Sequence, residues 1–370
     1  MADLTKPAQA WNLQWDADWV TAVTFLGSSR RVAAGNNLGQ ILLWELPDKT
    51  GGDAPKPVAR LDGHTNVISR LAATPDGKTL ISTSYDHTVK YWDIPAKIPD
   101  ATEPILLNAR TIEDTTRRKS NGAKVPPPNE AKVYVLKPVK TLTEHKEWIL
   151  GMEISRDGKA MITDDDAGHV IIWDAAVGLV KKRWQLAKGW AYAVALSPDQ
   201  KQACITERLT LVFDSGRHAA VKLWDATTGT ATKDLSAEKE FKCTHMSSAS
   251  YSPDGKALAI LRGGESGGLS GKPIILDPSS GKIVKECGPG HLDGGTDLAW
   301  HPDSKHLASS GRDTTVRVWD TTTGKLVSEV GKGRGGQFKD WICAVAWSAD
   351  GKWIVGGDMI GAVQVWSFPA

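Results

Sequence analysis

An all-β chain of seven similar repeats is predicted by three observations. A short apolar strand ending in Trp-Asp, or a variant of it, returns along the whole sequence. It returns at nearly regular steps, and no segment shows a competing helical period. The clear copies are VKYWD at 89–93, VIIWD at 170–174, VKLWD at 221–225 and VRVWD at 316–320. Degenerate copies are ILLWE at 41–45, PIILD at 273–277 and VQVWS at 363–367. From Trp44 the steps to Trp92, Trp173, Trp224, Leu276, Trp319 and Trp366 are 48, 81, 51, 52, 43 and 47 residues. A period of that size signals a repeat architecture, with one insertion in the long step.

The copy from Gly290 to Lys325 shows what each repeat builds. Gly290-His291 opens it, and an apolar strand follows at 297–300. His301-Pro302-Asp303-Ser304-Lys305 then suits a tight turn, because Pro presets φ and Asp can bond its own backbone. A second strand at 307–310 leads to Asp313, a third ends at Trp319-Asp320, and TTTGK at 321–325 turns the chain into a fourth. Four short strands with regular turns make an antiparallel blade. A lone blade cannot bury both faces, but blades stacked radially can. The predicted fold is therefore a seven-bladed β-propeller of four-stranded antiparallel blades, residues 1–370 forming one domain.

The last repeat stops at its third strand, near Trp366. The segment Pro7 to Trp15 precedes the first repeat, where a spare strand would lie. Pairing it with the C-terminal strands would close the ring and remove two exposed sheet edges.

Here the sequence resembles the WD-repeat family over nearly its whole length. The resemblance implies a hydrogen-bonded set of His, Ser or Thr, Asp and Trp inside each blade. By spacing these are His64, Ser82, Asp86 and Trp92 in the second copy, and His291, Ser309, Asp313 and Trp319 in the sixth. A buried network of this kind is structural and stabilises when every member is satisfied. The pattern erodes elsewhere. In the third copy Ala167 stands where Asp is expected, just after Asp164, Asp165 and Asp166, and Asp16 replaces the first His.

Composition narrows the function classes. The 45 basic and 43 acidic residues nearly balance, so no global field favours nucleic acid or an anionic membrane. No apolar run approaches the roughly 18 residues of a membrane span, and MADLTKPAQAW lacks the regions of a signal peptide. Cytoplasm is favoured over export. Cys204, Cys243, Cys287 and Cys343 lie far apart without metal-type spacing, so reduced thiols are expected.

The insertion, about 96–138, holds TTRRKSNG and PPPN and no strand alternation before Val133, which reads as a solvated loop. Two further expansions, at 207–218 and 263–272, fall between second and third strands. The resemblance puts them on the face usually called the top, where a wall beside a binding surface could rise.

Three residues after the His position, Trp19, Trp148, Trp190, His245 and Trp341 recur, and Tyr192 stands two further on in its copy. The resemblance implies a partner-gripping role for these positions, as in the beta subunits of heterotrimeric G proteins. Tyr85 and Arg312, directly before Asp86 and Asp313, join this candidate set. Aromatic anchors dominate interface energetics, although Trp at such places can equally pack between blades.

Enzyme signals are weak. GESGG at 264–268 matches a nucleophile elbow but lies in a loop between strands rather than at a strand-to-helix turn. GKGRGG at 331–336 runs towards a strand, so no helix terminus receives a phosphate. The Asp164–Asp166 run lacks the alternation of a calcium loop and reads as a solvated turn. The expectation is a monomeric, non-enzymatic scaffold for a protein or peptide, without cofactor, metal, nucleic acid or membrane. The alternative is a catalytic propeller, or the accessory propeller of a larger enzyme. His, Asp or Glu converging in the central channel would favour catalysis.

Overall fold

The structure is a computed structural model that describes residues 2–369 except 14, 17, 118–123, 188–189, 209–218, 242–244, 264–270 and 332–340. Seven antiparallel blades follow one another along the chain. From inner to outer strand, blade 1 holds Val20–Phe25, Arg31–Asn36, Ile41–Glu45 and Ala59–Leu61. Blade 2 holds Ile68–Ala73, Thr79–Ser84, Val89–Asp93 and Lys140–Leu142. Blades 3 to 6 begin at Ile149–Ile154, Trp190–Leu196, Met246–Tyr251 and Gly295–Trp300. Blade 7 takes Ile342–Trp347, Trp353–Asp358 and Val363–Ser367 from the end of the chain and Ala8–Leu13 from its start.

The closing strand pairs as the sequence predicts. Ala8–Leu13 runs antiparallel to Val363–Ser367, with Leu13 opposite Val363 and Ala8 opposite Ser367. Alternation decides its register: Trp11 and Leu13 are buried and Asn12 is exposed. Trp11 stacks on Trp353 at 5.5 Å, inside a core shared by blades 7 and 1. The blades meet closely there. A Cβ on Gly357 would lie 2.3 Å from Val20 Cγ1, so only glycine fits.

Within the blades, the turn between first and second strands repeats almost unchanged. Its third residue adopts positive φ, near 70° at Gly77, Gly158, Gly255 and Gly351 and 62° at Gln200 and Ser304. Glycine occupies four of these positions because the left-handed region costs it nothing. The turn Asp bonds the amide two residues on, as Asp76 Oδ1 does to Lys78 N at 3.1 Å.

The insertion departs from the expected loop. After the third strand of blade 2 the chain forms a strand, Glu103–Leu106, a helix, Ala109–Arg117, and a second strand, Glu130–Leu136. Glu130–Leu136 pairs in parallel with Ala59–Leu61, so blade 1 becomes a six-stranded sheet. Its alternation buries Ala131 and Val133 and exposes Lys132. An outer strand of three residues leaves edge groups unpaired, and the returning chain covers them. Asp16 N donates to Leu107 O at 2.8 Å and Thr111 N to Asp16 Oδ2 at 2.6 Å, tying the insertion to the entry of blade 1.

Candidate functional site

The residues expected to be structural form relays inside their blades. In blade 2, Trp92 Nε1 donates to Ser82 Oγ at 2.8 Å, Ser82 Oγ lies 2.7 Å from His64 Nε2, and His64 Nδ1 lies 2.8 Å from Asp86 Oδ2. With Ser82 accepting from Trp92, its own proton goes to Nε2 and the neutral His64 donates through Nδ1. Burial lowers the His64 pKa, against its bond to Asp86, which keeps the ring neutral. Blade 6 repeats this with Trp319, Ser309, His291 and Asp313 at 2.8, 2.7 and 2.9 Å.

Blade 3 corrects the sequence reading. There Trp173, Thr163, His145 and Asp165 complete the same relay at 2.8, 2.7 and 2.8 Å, so the network is intact with its Asp two residues earlier than the spacing predicts. The solvated-turn reading fails too, because Asp164 and Asp165 are both buried. Blades 1 and 4 place Ala34 opposite Leu42 and Ile205 opposite Lys222, where Ser82 stands opposite Lys90 in blade 2. Without the hydroxyl, Trp44 Nε1 and Trp224 Nε1 are buried and lack a hydrogen-bond partner.

Six of the eight candidate partner-binding residues gather at one end of the central channel, and Trp148 packs on one of them. Trp19, Tyr85, Tyr192, His245, Arg312 and Trp341 line a mouth of about 360 Å³. A repeated backbone bond holds this rim: Asn37 N to Trp19 O, Asp166 N to Trp148 O, Arg312 N to Gly294 O and Met359 N to Trp341 O, each 3.0 Å. Each bond ties the loop after the second strand to the entry of the first. Side chains from those loops then lie on the aromatic residue of the next blade. Tyr85 of blade 2 stacks on Trp148 of blade 3 at 5.1 Å and 2°, and the Arg312 guanidinium of blade 6 covers Trp341 of blade 7 at 4.4 Å. Tyr192 and His245 meet at 5.0 Å across blades 4 and 5. Trp19, Trp148 and Trp190 remain 45, 47 and 43 % exposed, whereas His245 is buried. For those three Trp residues, packing between blades is incomplete.

The channel itself carries a group the sequence reading missed. Below the mouth, Arg70, Glu153 and Asp297 face a space of about 280 Å³. Glu153 Oε2 accepts from Leu196 N at 2.7 Å and Oε1 from Ser250 Oγ at 3.3 Å. Asp297 accepts from Ser248 Oγ at 3.1 Å and Val345 N at 3.2 Å. Part of each carboxylate side chain borders the channel, but the surrounding protein removes most of its water. Burial pushes Glu153 up to about 8 and Asp164 up to about 7, and raises Asp297 against the pull of Arg70. Glu153 and Asp297 are each the one carboxylate of an otherwise largely apolar strand, and a strand pattern does not say which inward positions meet at the axis.

The GESGG and most of the GKGRGG motif, the basic stretch after Arg117 and the tips of the two expanded loops lie outside the described residues. No helix among the described residues is long and apolar enough to cross a membrane.

A family model, the WD domain, G-beta repeat, matches residues 55–93, 136–174, 281–320 and 332–367. The small ribosomal subunit protein RACK1y of Oryza sativa subsp. japonica is 23% identical over 361 residues, 83% of this chain and 94% of that protein. Actin-interacting protein 1 of Drosophila melanogaster is 27% identical over 229 residues, 50% of this chain and 36% of that protein. Nuclear distribution protein nudF of Aspergillus niger is 23% identical over 293 residues, 73% of this chain and 62% of that protein. The chain thus spans about a third of the fly protein and nearly all of the rice one. With WD repeats matched in blades 2, 3, 6 and 7, relays in three of those blades and seven blades closed by the N-terminal strand, the chain is a seven-bladed β-propeller carrying WD repeats.

Proposed function

We propose that this propeller is a non-enzymatic scaffold that grips a protein or peptide at the aromatic mouth of its channel. The observation that carries the reading is the rim of three half-exposed Trp side chains on a rigid backbone. Trp is a costly residue to leave in water, and rigid aromatic groups around a concavity make interface anchors. Arg312 and His245 add polar contacts beside Trp341 and Tyr192. The rice relative is named for the small ribosomal subunit and the fly relative for interaction with actin, which agrees with this use. A monomer acting in the cytoplasm, with no nucleic-acid or membrane partner, fits the balanced charge.

A second reading, a catalytic or accessory propeller, draws on Glu153, Asp297 and Arg70 in the channel. The two carboxylates bond amides and hydroxyls of neighbouring blades, Glu153 reaching blade 4 and Asp297 reaching blade 7. That favours a role as ties between blades. The test is to immobilise the protein, capture partners from cells of its source, and compare wild type with Trp19→Ser, Trp148→Ser and Trp190→Ser. The captured protein should bind each variant more weakly by roughly 2 kcal/mol while melting temperatures stay close to wild type. Equal binding by all three variants, or melting as poor as that of relay variants, would refute the surface.

A further inference from the structure

We infer that His301, Asp303 and His306, in the turn between first and second strands of blade 6, form a binding site for a divalent transition-metal ion of the zinc type. The inference is independent of the aromatic mouth, since it concerns a turn at the other end of the first strand. It starts from a comparison among the protein's own blades. In blades 2, 3, 4, 5 and 7 the turn Asp accepts a hydroxyl bond from the residue two before it, at 2.6 or 2.7 Å: Thr74, Ser155, Ser197, Ser252 and Ser348. The same hydroxyl accepts from the amide five residues on, as Ser155 does from Ala160 N at 2.9 Å. Blade 6 alone among these turns places His301 at the hydroxyl position and His306 at the position five later. A local rule broken at one copy of a repeat asks for a reason.

The geometry supplies one. His301 Nδ1 lies 3.0 Å from Asp303 Oδ1, and His306 Nδ1 lies 2.7 Å from Asp303 Oδ2. One ligand atom from each of the three residues falls within 4.8 Å of the others. The orientation of His301 is fixed from behind: its Nε2 lies 3.2 Å from the Gly351 carbonyl and its ring packs edge-on against Trp347 at 4.8 Å. A carbonyl only accepts, so Nε2 carries the proton, and Asp303 N donates to Nδ1 at 3.2 Å. With Nε2 protonated, the single Nδ1 lone pair accepts from the Asp303 amide while a carboxylate oxygen lies 3.0 Å away, so an ion bound at Nδ1 takes the place of that amide bond. Two acceptors at that distance repel unless a cation lies between them. An imidazole whose far nitrogen donates to a backbone carbonyl is the arrangement that metal-binding histidines use.

Donor type selects the ion. Two imidazoles and one carboxylate suit zinc and its neighbours rather than magnesium or calcium, which prefer oxygen alone. Zinc holds nitrogen and oxygen at about 2.1 Å, which sets tetrahedral ligands about 3.4 Å apart. The two short pairs are near that spacing, and the partly exposed His306 can make the remaining adjustment while water completes the shell. Binding at His306 Nδ1 requires the ring in the tautomer protonated at Nε2, which leaves the Nδ1 lone pair for the ion in place of its bond to Asp303.

The test uses the full chain after chelator treatment, titrated with Zn²⁺ or Co²⁺ in a calorimeter at pH 7.5, with visible absorption of the cobalt form. His301→Ser restores the hydroxyl found in five sister turns and should fold normally, and His306→Gln keeps a polar side chain. Wild type is expected to take up one ion, show ligand-field bands with Co²⁺ and melt higher with Zn²⁺. Each variant should weaken that binding at least about tenfold. The inference is overturned if no saturable uptake occurs, which would leave a proton as the bridging cation. It is equally overturned if both variants bind the ion as tightly as wild type, which would place the ion elsewhere.

Discussion

Ring closure through the N-terminal strand makes a quantitative prediction at Leu13. Its side chain is fully buried in the core shared by blades 7 and 1, together with Val20, Val23, Trp44 and Val363. Truncating a buried leucine to alanine costs about 2 to 5 kcal/mol, from lost transfer energy and the cavity left behind. Unfolding entropy near 2.1 cal/mol/K per residue gives roughly 0.8 kcal/mol/K for a chain of 370 residues. Leu13→Ala should therefore lower the melting temperature by about 3 to 6 °C if the ring unfolds as one unit. Gln9, exposed on the same strand, is the control, and Gln9→Ala should stay within about 0.5 kcal/mol of wild type. Deleting residues 1 to 15 goes further, because it strips the partner from Val363–Ser367 and leaves an apolar edge open to other molecules. The assay is thermal melting by circular dichroism together with size-exclusion chromatography. Leu13→Ala melting alongside Gln9→Ala, or a deletion variant that stays monomeric with an unchanged melt, would refute the closing strand as a structural element.

Three further outcomes follow from the same structure. Asp165→Ala should destabilise blade 3 by about 1 to 3 kcal/mol in urea titrations, as Asp86→Ala and Asp313→Ala should in theirs; an Asp165 variant as stable as wild type would mean that His145 does not need its acceptor. Limited trypsin digestion should cut first after Arg117, at the end of an exposed helix, and more slowly at Lys132 within a paired strand; mass spectrometry of the first fragments decides, and a first cut at Lys132 would contradict the pairing. Glu153 gives a pH dependence. Its folded pKa of about 8 exceeds its ordinary 4.5, so its protonated form stabilises the fold fully below about pH 4.5, and that stability is lost as pH rises through 8. Relative to Glu153→Gln, wild type should lose about 4 kcal/mol across that window, and parallel melting curves for the two proteins from pH 5 to 8 would show that the carboxyl is not buried as described.

The sequence by itself determined the all-β class, the blade number and the closing strand, because these depend on local pattern: strand alternation, turn residues and a repeated Trp. It also determined the relays of blades 2 and 6, whose spacing is the family's own. Tertiary structure decided what depends on meetings between distant segments. The relay of blade 3 keeps the spacing of His, hydroxyl and Trp found in blade 2, but its carboxylate reaches His145 from Asp165, the last residue of the second strand, rather than from the loop that follows. The segment read as a loop became two strands and a helix because the short outer strand of blade 1 offered an edge to cover. The stacking of Tyr85 on Trp148 and Arg312 on Trp341 joins residues 63 and 29 positions apart in the chain. The convergence of Arg70, Glu153 and Asp297 joins three blades around one axis. A strand's periodicity records which face is buried, but only the closed ring determines which buried residues share a space.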